Sequence, residues 1–174
     1  MELVKINKNI FRQYDIRGIY QQDLDENVSY TIGRSFASYI KEKTVIIGHD
    51  NRESSDSLRN ALVAGLTASG ANVIDLGLVT TPMYYYAKKS LNITNGIMIT
   101  ASHNPREYNG FKISFSKIGN ACGQEIEDFY NFTDKLEFDN GNGQLKLLNI
   151  KEKYLENFKN SINLGNRKIK AVFD

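Results

Sequence analysis

The sequence predicts an α/β layer, a mixed and mostly parallel sheet packed between helices, and three observations carry this. Short apolar runs alternate with segments of helical periodicity through the first 115 residues, the signature of strand–helix–strand units that set parallel strands side by side. The run Thr44-Val45-Ile46-Ile47-Gly48 is β-branched and apolar, as a strand buried on both faces requires. The chain has 174 residues, 41% hydrophobic and 24% charged, an ordinary globular mix that suffices for one domain or a little more.

Each element follows in order. Residues 28–39 place Ile32, Phe36, Tyr39 and Ile40 at helical intervals, which predicts an amphipathic helix. The strand at 44–48 leads through polar His49-Asp50-Asn51-Arg52 into a second helix. Ser54 or Ser55 is its N-cap, Leu58, Ala61, Leu62, Gly65 and Leu66 form its inner stripe, and Gly70 stops it. Residues 72–76 read as the next strand. Thr80-Thr81-Pro82 opens a third helix, with Thr81 as N-cap and Pro82 at the first helical position, running to about Leu91. Residues 96–100 are again strand-like, and residues 111–115 alternate as a half-exposed strand would. Residues 123–134 look helical, residues 137–149 form a loop or hairpin, and residues 151–162 form a further helix. Residues 168–174 then begin an apolar stretch that reads as a new buried strand. The expected organisation is therefore one domain over residues 1–150. Residues 151–174 would be a linker helix and the first strand of a second, truncated domain.

Charge and composition exclude several function classes. Lys plus Arg number 22 against 20 Asp plus Glu, a net charge of +2, so no basic excess argues for nucleic acid or an anionic membrane. A bound anion would need a local site. The single Cys122 cannot form an internal disulfide, and His49 and His103 are too few for a Cys/His zinc cluster. The first eight residues lack the apolar stretch of a secretory signal, and no run approaches the roughly 18 residues of a membrane span. The expected location is cytoplasmic.

Three segments could carry chemistry. Thr100-Ala101-Ser102-His103-Asn104-Pro105-Arg106-Glu107-Tyr108-Asn109-Gly110-Phe111-Lys112 follows a hydrophobic strand, and open α/β sheets bind ligands at the carboxyl ends of their strands. Small Ala101 beside Ser102 leaves its hydroxyl accessible. Asn109-Gly110 reads as a tight turn that brings Lys112 back to the loop. The plainer alternative is a well-made turn in which Ser102 and Asn104 bond nearby backbone. In Phe11-Arg12-Gln13-Tyr14-Asp15-Ile16-Arg17-Gly18, two arginines can clamp an anion, since guanidinium matches phosphate oxygens. Equally, either arginine can pair with Asp15. In Gly48-His49-Asp50-Asn51-Arg52, loop fixation is the favoured reading, with the Asp on backbone N–H groups and the Arg on loop carbonyls.

Taken together and in this order, these segments and Thr80-Thr81-Pro82 resemble the α-D-phosphohexomutases, the phosphomannomutase/phosphoglucomutase family. The resemblance runs from about Phe11 to Asp134 and covers that family's N-terminal, phosphoserine-bearing domain. It implies a phosphoserine at Ser102 that exchanges phosphate with hexose 1- and 6-phosphates through a hexose bisphosphate. It also implies Mg²⁺ bound through the Ser102 phosphate, with Arg17, His103 and Lys112 around the phosphoryl and sugar groups and Tyr14 at the substrate cleft. Arg17 and Lys112 are then expected to be phosphate partners, whose loss harms activity more than folding.

One departure is large. The family's Asp-rich metal loop, D-G-D-x-D-R, is absent from this sequence, as are the family's later sugar- and phosphate-recognition loops. Asp139-Asn140-Gly141-Asn142-Gly143 has the wrong spacing to replace the metal loop. The expectation is a fragment, the nucleophile domain of a mutase whose remaining domains belong to the full-length protein, with turnover absent or very weak on its own. Two rival readings are a non-catalytic sugar-phosphate-binding module and a serine hydrolase using Ser102 and His103. The second is disfavoured because adjacent residues rarely act as nucleophile and base and no orienting acid is apparent. Mannose, glucose and glucosamine phosphates are not distinguished.

Overall fold

In a computed structural model, residues 1–163, 165, 168 and 170–173 are described. The strands are β1 (Ile16–Ile19), β2 (Thr44–His49), β3 (Asn72–Leu78), β4 (Asn95–Ile99), β5 (Tyr108–Ser114) and β6 (Leu145–Leu147). They form one sheet in the order β1-β5-β4-β2-β3-β6. β2 runs parallel to β3 and β4, and β3 parallel to β6. β5 is antiparallel to both β4 and β1, so the sheet is mixed and mostly parallel, as expected.

The helices are α1 (Glu26–Tyr39), α2 (Ser55–Ala68), α3 (Thr81–Ser90), α4 (Gln124–Thr133) and α5 (Lys151–Ser161). Alternation along the central strands sends side chains to two cores. Val45 and Ile47 join α1, α2 and α4 through Ile32, Phe36, Leu58, Leu62 and Phe129. Ile46 and Met98 join Tyr84 and Ala87 of α3 and Ile150 on the other face. Burying both faces removes the apolar area that the sequence pattern advertises, at roughly 25 cal/mol per Å². Helices α1 and α2 meet at Gly33 and Gly65, where a Cβ on either would overlap backbone of the other helix. Only glycine permits that approach.

Several boundaries differ from expectation for identifiable reasons. Thr80, not Thr81, caps α3: its side chain accepts from the Met83 amide at 3.4 Å, and Pro82 sits in the first turn but not at its first position. The stretch 109–110 is not a turn. Both residues lie inside β5, where Gly110 pairs with Arg17 and a Cβ would strike the Ile16 carbonyl. Nor is β5 half-exposed: β1 covers its outer edge, and Phe111, Ile113 and Ser114 are all buried. β1 itself went unrecognised because four residues rich in polar neighbours show no period. Residues 137–149 are not a hairpin but a loop that runs into a short strand, β6. The loop crosses the end of α2, with Gly141 and Gly143 amides donating to the Ala68 and Thr67 carbonyls, and delivers β6 to the edge of β3.

Lys88 of α3 is buried, and among the described residues no carboxylate pairs with it. Its ammonium donates to the Ser114 hydroxyl and, at 2.8 Å, to the Ser116 carbonyl. Burial pulls its pKa down to about 8. The unfolded chain then holds more protons than the folded one between about pH 8 and 10.5, so this group makes stability rise with pH across that window. Denaturant titrations at pH 7.5 and 10 are expected to show wild type gaining on the order of 2 kcal/mol relative to Lys88→Met. An unchanged difference would place the charge in a better-solvated setting.

Residues 168–174 do not form the expected buried strand within the described residues. Lys168 and residues 170–173 are exposed and outside any strand, with Val172 and Phe173 at 89% and 92% exposure. Ile169 and Asp174 lie outside the described residues. Removing residues 168–174 is therefore expected to move the melting temperature by about 2 °C or less. Calorimetry checks this, and a larger drop would place the tail in the domain core. α5 does contact the domain: Tyr86 stacks edge-on against Tyr154 at 5.5 Å, and its hydroxyl donates to the Lys153 carbonyl.

Candidate active site

The serine loop leaves the carboxyl end of β4, next to the loop that leaves the carboxyl end of parallel β2. Sheet geometry therefore brings two of the singled-out segments together, because parallel neighbours present the same end. The third arrives through β1, whose Arg17 lies opposite Gly110 of β5. The pairing of β5 with β1, rather than a turn, brings Arg17 and Lys112 to the same region.

Ser102 is exposed and takes a left-handed backbone, φ 56°. That conformation is uncommon for a side chain other than Gly, Asn or Asp and costs on the order of 1 kcal/mol or more. The loop is held from several directions. The Ser102 amide donates to the Thr100 hydroxyl at 2.9 Å, and the Asn104 amide to the Ala101 carbonyl at 3.1 Å. Arg52 reaches across from the β2 loop. Its Nη1 donates to the carbonyls of Pro105 and Tyr108, and its Nη2 to those of Ser102 and Asn104. Its Nε donates to Asp50 at 3.2 Å. Fixation of a loop by Arg52, the favoured reading of that motif, is what the geometry displays.

Arg17 grips the same loop from the other side. Its Nη1 donates to Asn104 Oδ1 at 2.6 Å, and Nη2 pairs with Asp15. Asn104 is thus bonded to one arginine through its side chain and to another through its carbonyl. Arg17 is 7% exposed, and its buried Nε has no hydrogen-bond partner among the described residues. Lys112 Nζ stands 3.6 Å from the same Asp15 carboxylate. One carboxylate therefore separates two cations, an arrangement that lets them share a site before any anion arrives. Arg12 does not join them: it is exposed and lines a different groove with Lys8, Gln13 and Tyr130.

His103 is exposed, and its Nδ1 lies 3.4 Å from Ser102 Oγ. That is long for a hydrogen bond between a nucleophile and its base. No carboxylate bonds to His103 among the described residues, so the hydrolase arrangement is not present. Tyr14 is 64% exposed beside Asp15. An open, polar cleft of about 390 Å³ adjoins the loop, lined by Ser102, Asn104 and Arg106 of the serine loop and by residues 50–53, Arg52 among them. Among the described residues no group of three or more His, Cys, Asp or Glu could hold a metal ion.

Sequence reasoning did not single out Asp15, Asn104 or Asn109 as site residues. Asn109 is fully buried, and its amide donates to the hydroxyls of Ser54 and Ser55 at 2.8 and 3.0 Å. A buried asparagine with three polar partners has no sequence signature. The Ser54-Ser55 pair beside a helix start was legible only as a cap.

Residues 8–138 match the family model described as phosphoglucomutase/phosphomannomutase, alpha/beta/alpha domain I. The chain is 37% identical over 168 residues to a phosphomannomutase/phosphoglucomutase of Pseudomonas syringae pv. tomato, covering 95% of this chain and 36% of that protein. It is 42% identical over 124 residues to a phosphoglucosamine mutase of Dictyoglomus turgidum, covering 69% of this chain and 28% of that one. Among solved structures, a phosphoglucomutase/phosphomannomutase family protein from Burkholderia thailandensis superposes with a TM-score of 0.86 at 32% identity. It covers 93% of this chain and 37% of its own length. The chain spans about a third of the length of the relatives it matches. With the serine loop, the two arginines that hold it and the mixed sheet in place, the chain belongs to the phosphoglucomutase/phosphomannomutase family, whose domain I it carries.

Proposed function

We propose that this chain is the nucleophile domain of a hexose-phosphate mutase, with Ser102 as the phosphate carrier. The observation that carries the reading is the exposed Ser102 hydroxyl on a loop fixed from both sides, with Arg17 and Lys112 gathered around Asp15 nearby. In the proposed cycle a phosphoserine passes its phosphoryl group to a hexose monophosphate. The resulting bisphosphate turns over and returns its other phosphate to Ser102 Oγ. In-line phosphoryl transfer asks the protein for position and charge neutralisation rather than for covalent chemistry. Arg17 and Lys112 supply fixed positive charge, His103 can exchange a proton at the reacting oxygen, and Tyr14 presents an exposed ring to the sugar. An intramolecular phosphotransferase of this kind takes hexose phosphates and hexose bisphosphate as substrates.

Among the described residues no cluster makes a Mg²⁺ cage by itself. The Ser102 phosphate would contribute one ligand, and the others would come from a domain that this chain lacks. A bound divalent cation would neutralise charge on the transferring oxygens. The domain carrying the site would be residues 1–150, with residues 151–174 leading toward the next domain. A non-catalytic binding module is less well supported, because binding alone does not call for an accessible serine hydroxyl held in a strained conformation.

The test is the site of phosphate uptake. After incubation of the full-length protein with a hexose bisphosphate, peptide mass spectrometry is expected to find one added phosphate, on Ser102. Label on another serine, or equal label in Ser102→Ala, would overturn the assignment.

A further inference from the structure

The geometry points to Arg52 as a positioning residue for phosphoryl transfer, one that acts on the Ser102 loop and never on the phosphate. This rests on the proposed role of Ser102 and adds the element that sets its geometry. A guanidinium has five N–H donors, and in Arg52 all five have a partner. Four point at the carbonyls of Ser102, Asn104, Pro105 and Tyr108, at 3.1, 2.7, 2.6 and 3.0 Å, and the fifth at Asp50. An arginine in this state has no donor left for an anion, and Asp50 offsets its charge. Arg17, in contrast, keeps a buried Nε without a partner among the described residues.

The carbonyls that Arg52 collects span the whole loop, from the serine to the start of β5. A planar fork imposes a fixed spacing on them, which a flexible ammonium cannot. The fork is itself fixed. Asp50 Oδ1 accepts from the Arg52 amide at 3.2 Å and from the Ser55 hydroxyl at 2.7 Å. Ser55 in turn accepts from Asn109, one residue past the loop. The chain of bonds thus closes on itself, from Asp50 through Arg52 and the loop to Asn109 and Ser55. Such closure holds Ser102 in its left-handed conformation, where the hydroxyl stands clear of the sheet. Misplacing a reacting group by about 1 Å can cost on the order of a hundredfold in rate.

The experiment compares wild type, Arg52→Lys and Ser102→Ala in the full-length enzyme. It measures kcat, KM, melting temperature and amide exchange at residues 101–106. For Arg52→Lys we expect kcat to fall by about tenfold to a hundredfold, KM to stay within about threefold, and exchange to accelerate only in the loop. An unchanged kcat overturns the proposal. So does a large rise in KM with unaltered exchange, which would make Arg52 a direct substrate ligand. If Arg52→Lys does not fold, Asp50→Asn is read by the same four measurements, since it loosens the fork while keeping its size. For that variant a fall in kcat at constant KM supports the proposal, and a change in KM alone overturns it. Failure of the underlying reading looks different, because then Ser102→Ala itself keeps its activity.

Discussion

Ser102→Ala in the full-length enzyme is expected to lose about four orders of magnitude or more in kcat, because the proposed cycle has no second group to carry the phosphate. The backbone sharpens this prediction. Ser102 sits at φ 56°, where alanine keeps the strain and glycine releases it. Ser102→Gly should therefore be equally inactive yet melt at or above the wild-type temperature, with a gap of about 1 kcal/mol over Ser102→Ala. Thermal scans of the two inactive variants, read beside steady-state rates, check both halves. Detectable turnover by either variant at a tenth of wild type would remove Ser102 from the reaction. A glycine variant less stable than the alanine one would mean that the hydroxyl, rather than the backbone angle, holds the loop.

The second large effect belongs to Arg17. The sequence expectation was that Arg17 and Lys112 serve the phosphate and leave folding alone, since two cations without an anion repel. Asp15 changes that expectation. Asp15 is 9% exposed and its carboxylate pairs with Arg17, with Lys112 at 3.6 Å. Removing one partner of a buried pair leaves a charge poorly compensated and costs up to about 3–5 kcal/mol. Here Lys112 remains beside Asp15, so the cost should be nearer 1–3 kcal/mol for Arg17→Ala, a melting shift of about 3–10 °C. Activity should fall at least about tenfold, since a charge-assisted contact to phosphate contributes roughly 1.5–3 kcal/mol. Lys112→Ala should lose comparable activity with a shift of about 2 °C or less, because Asp15 keeps its arginine. Equal destabilisation by both would mean that the two cations share the carboxylate evenly. Normal turnover by the folded Arg17→Ala would make the residue scaffold alone.

The contrast between the two cations explains what the sequence could and could not disclose. Strand–helix alternation over residues 44–99 was legible because β2 and β4 are covered on both faces, which leaves nothing for polar residues to do there. The serine loop was legible because it interrupts that pattern at a strand end. β1 and β6 were not, since strands of four and three residues are too short to display a period. Asn109-Gly110 misled for a related reason. The pair is a turn former when solvent surrounds it, but here Asn109 is buried on two serines and Gly110 makes room for Arg17. The convergence of Arg17 on the loop was foreseen, but its mechanism, strand register, depends on pairing partners almost a hundred residues apart. Local sequence carries no record of such pairing.

That register also orders events in time. β1 has a single strand neighbour, β5, with Ile16 opposite Phe111. During synthesis at about 5–20 residues per second, β1 waits roughly 5–20 s before its partner has been made. Contacts between β2, β3 and β4 can form within that interval, because those strands and their crossover helices are complete earlier. Pairings of large sequence separation are also the slow ones entropically. β1 can thus join the sheet only once β5 has been made, and Arg17 docks as Tyr108 and Asn109 of that same strand complete the Arg52 brace. A nascent chain stalled before residue 108 would carry β1 without its one strand neighbour and Arg17 without its place beside the serine loop.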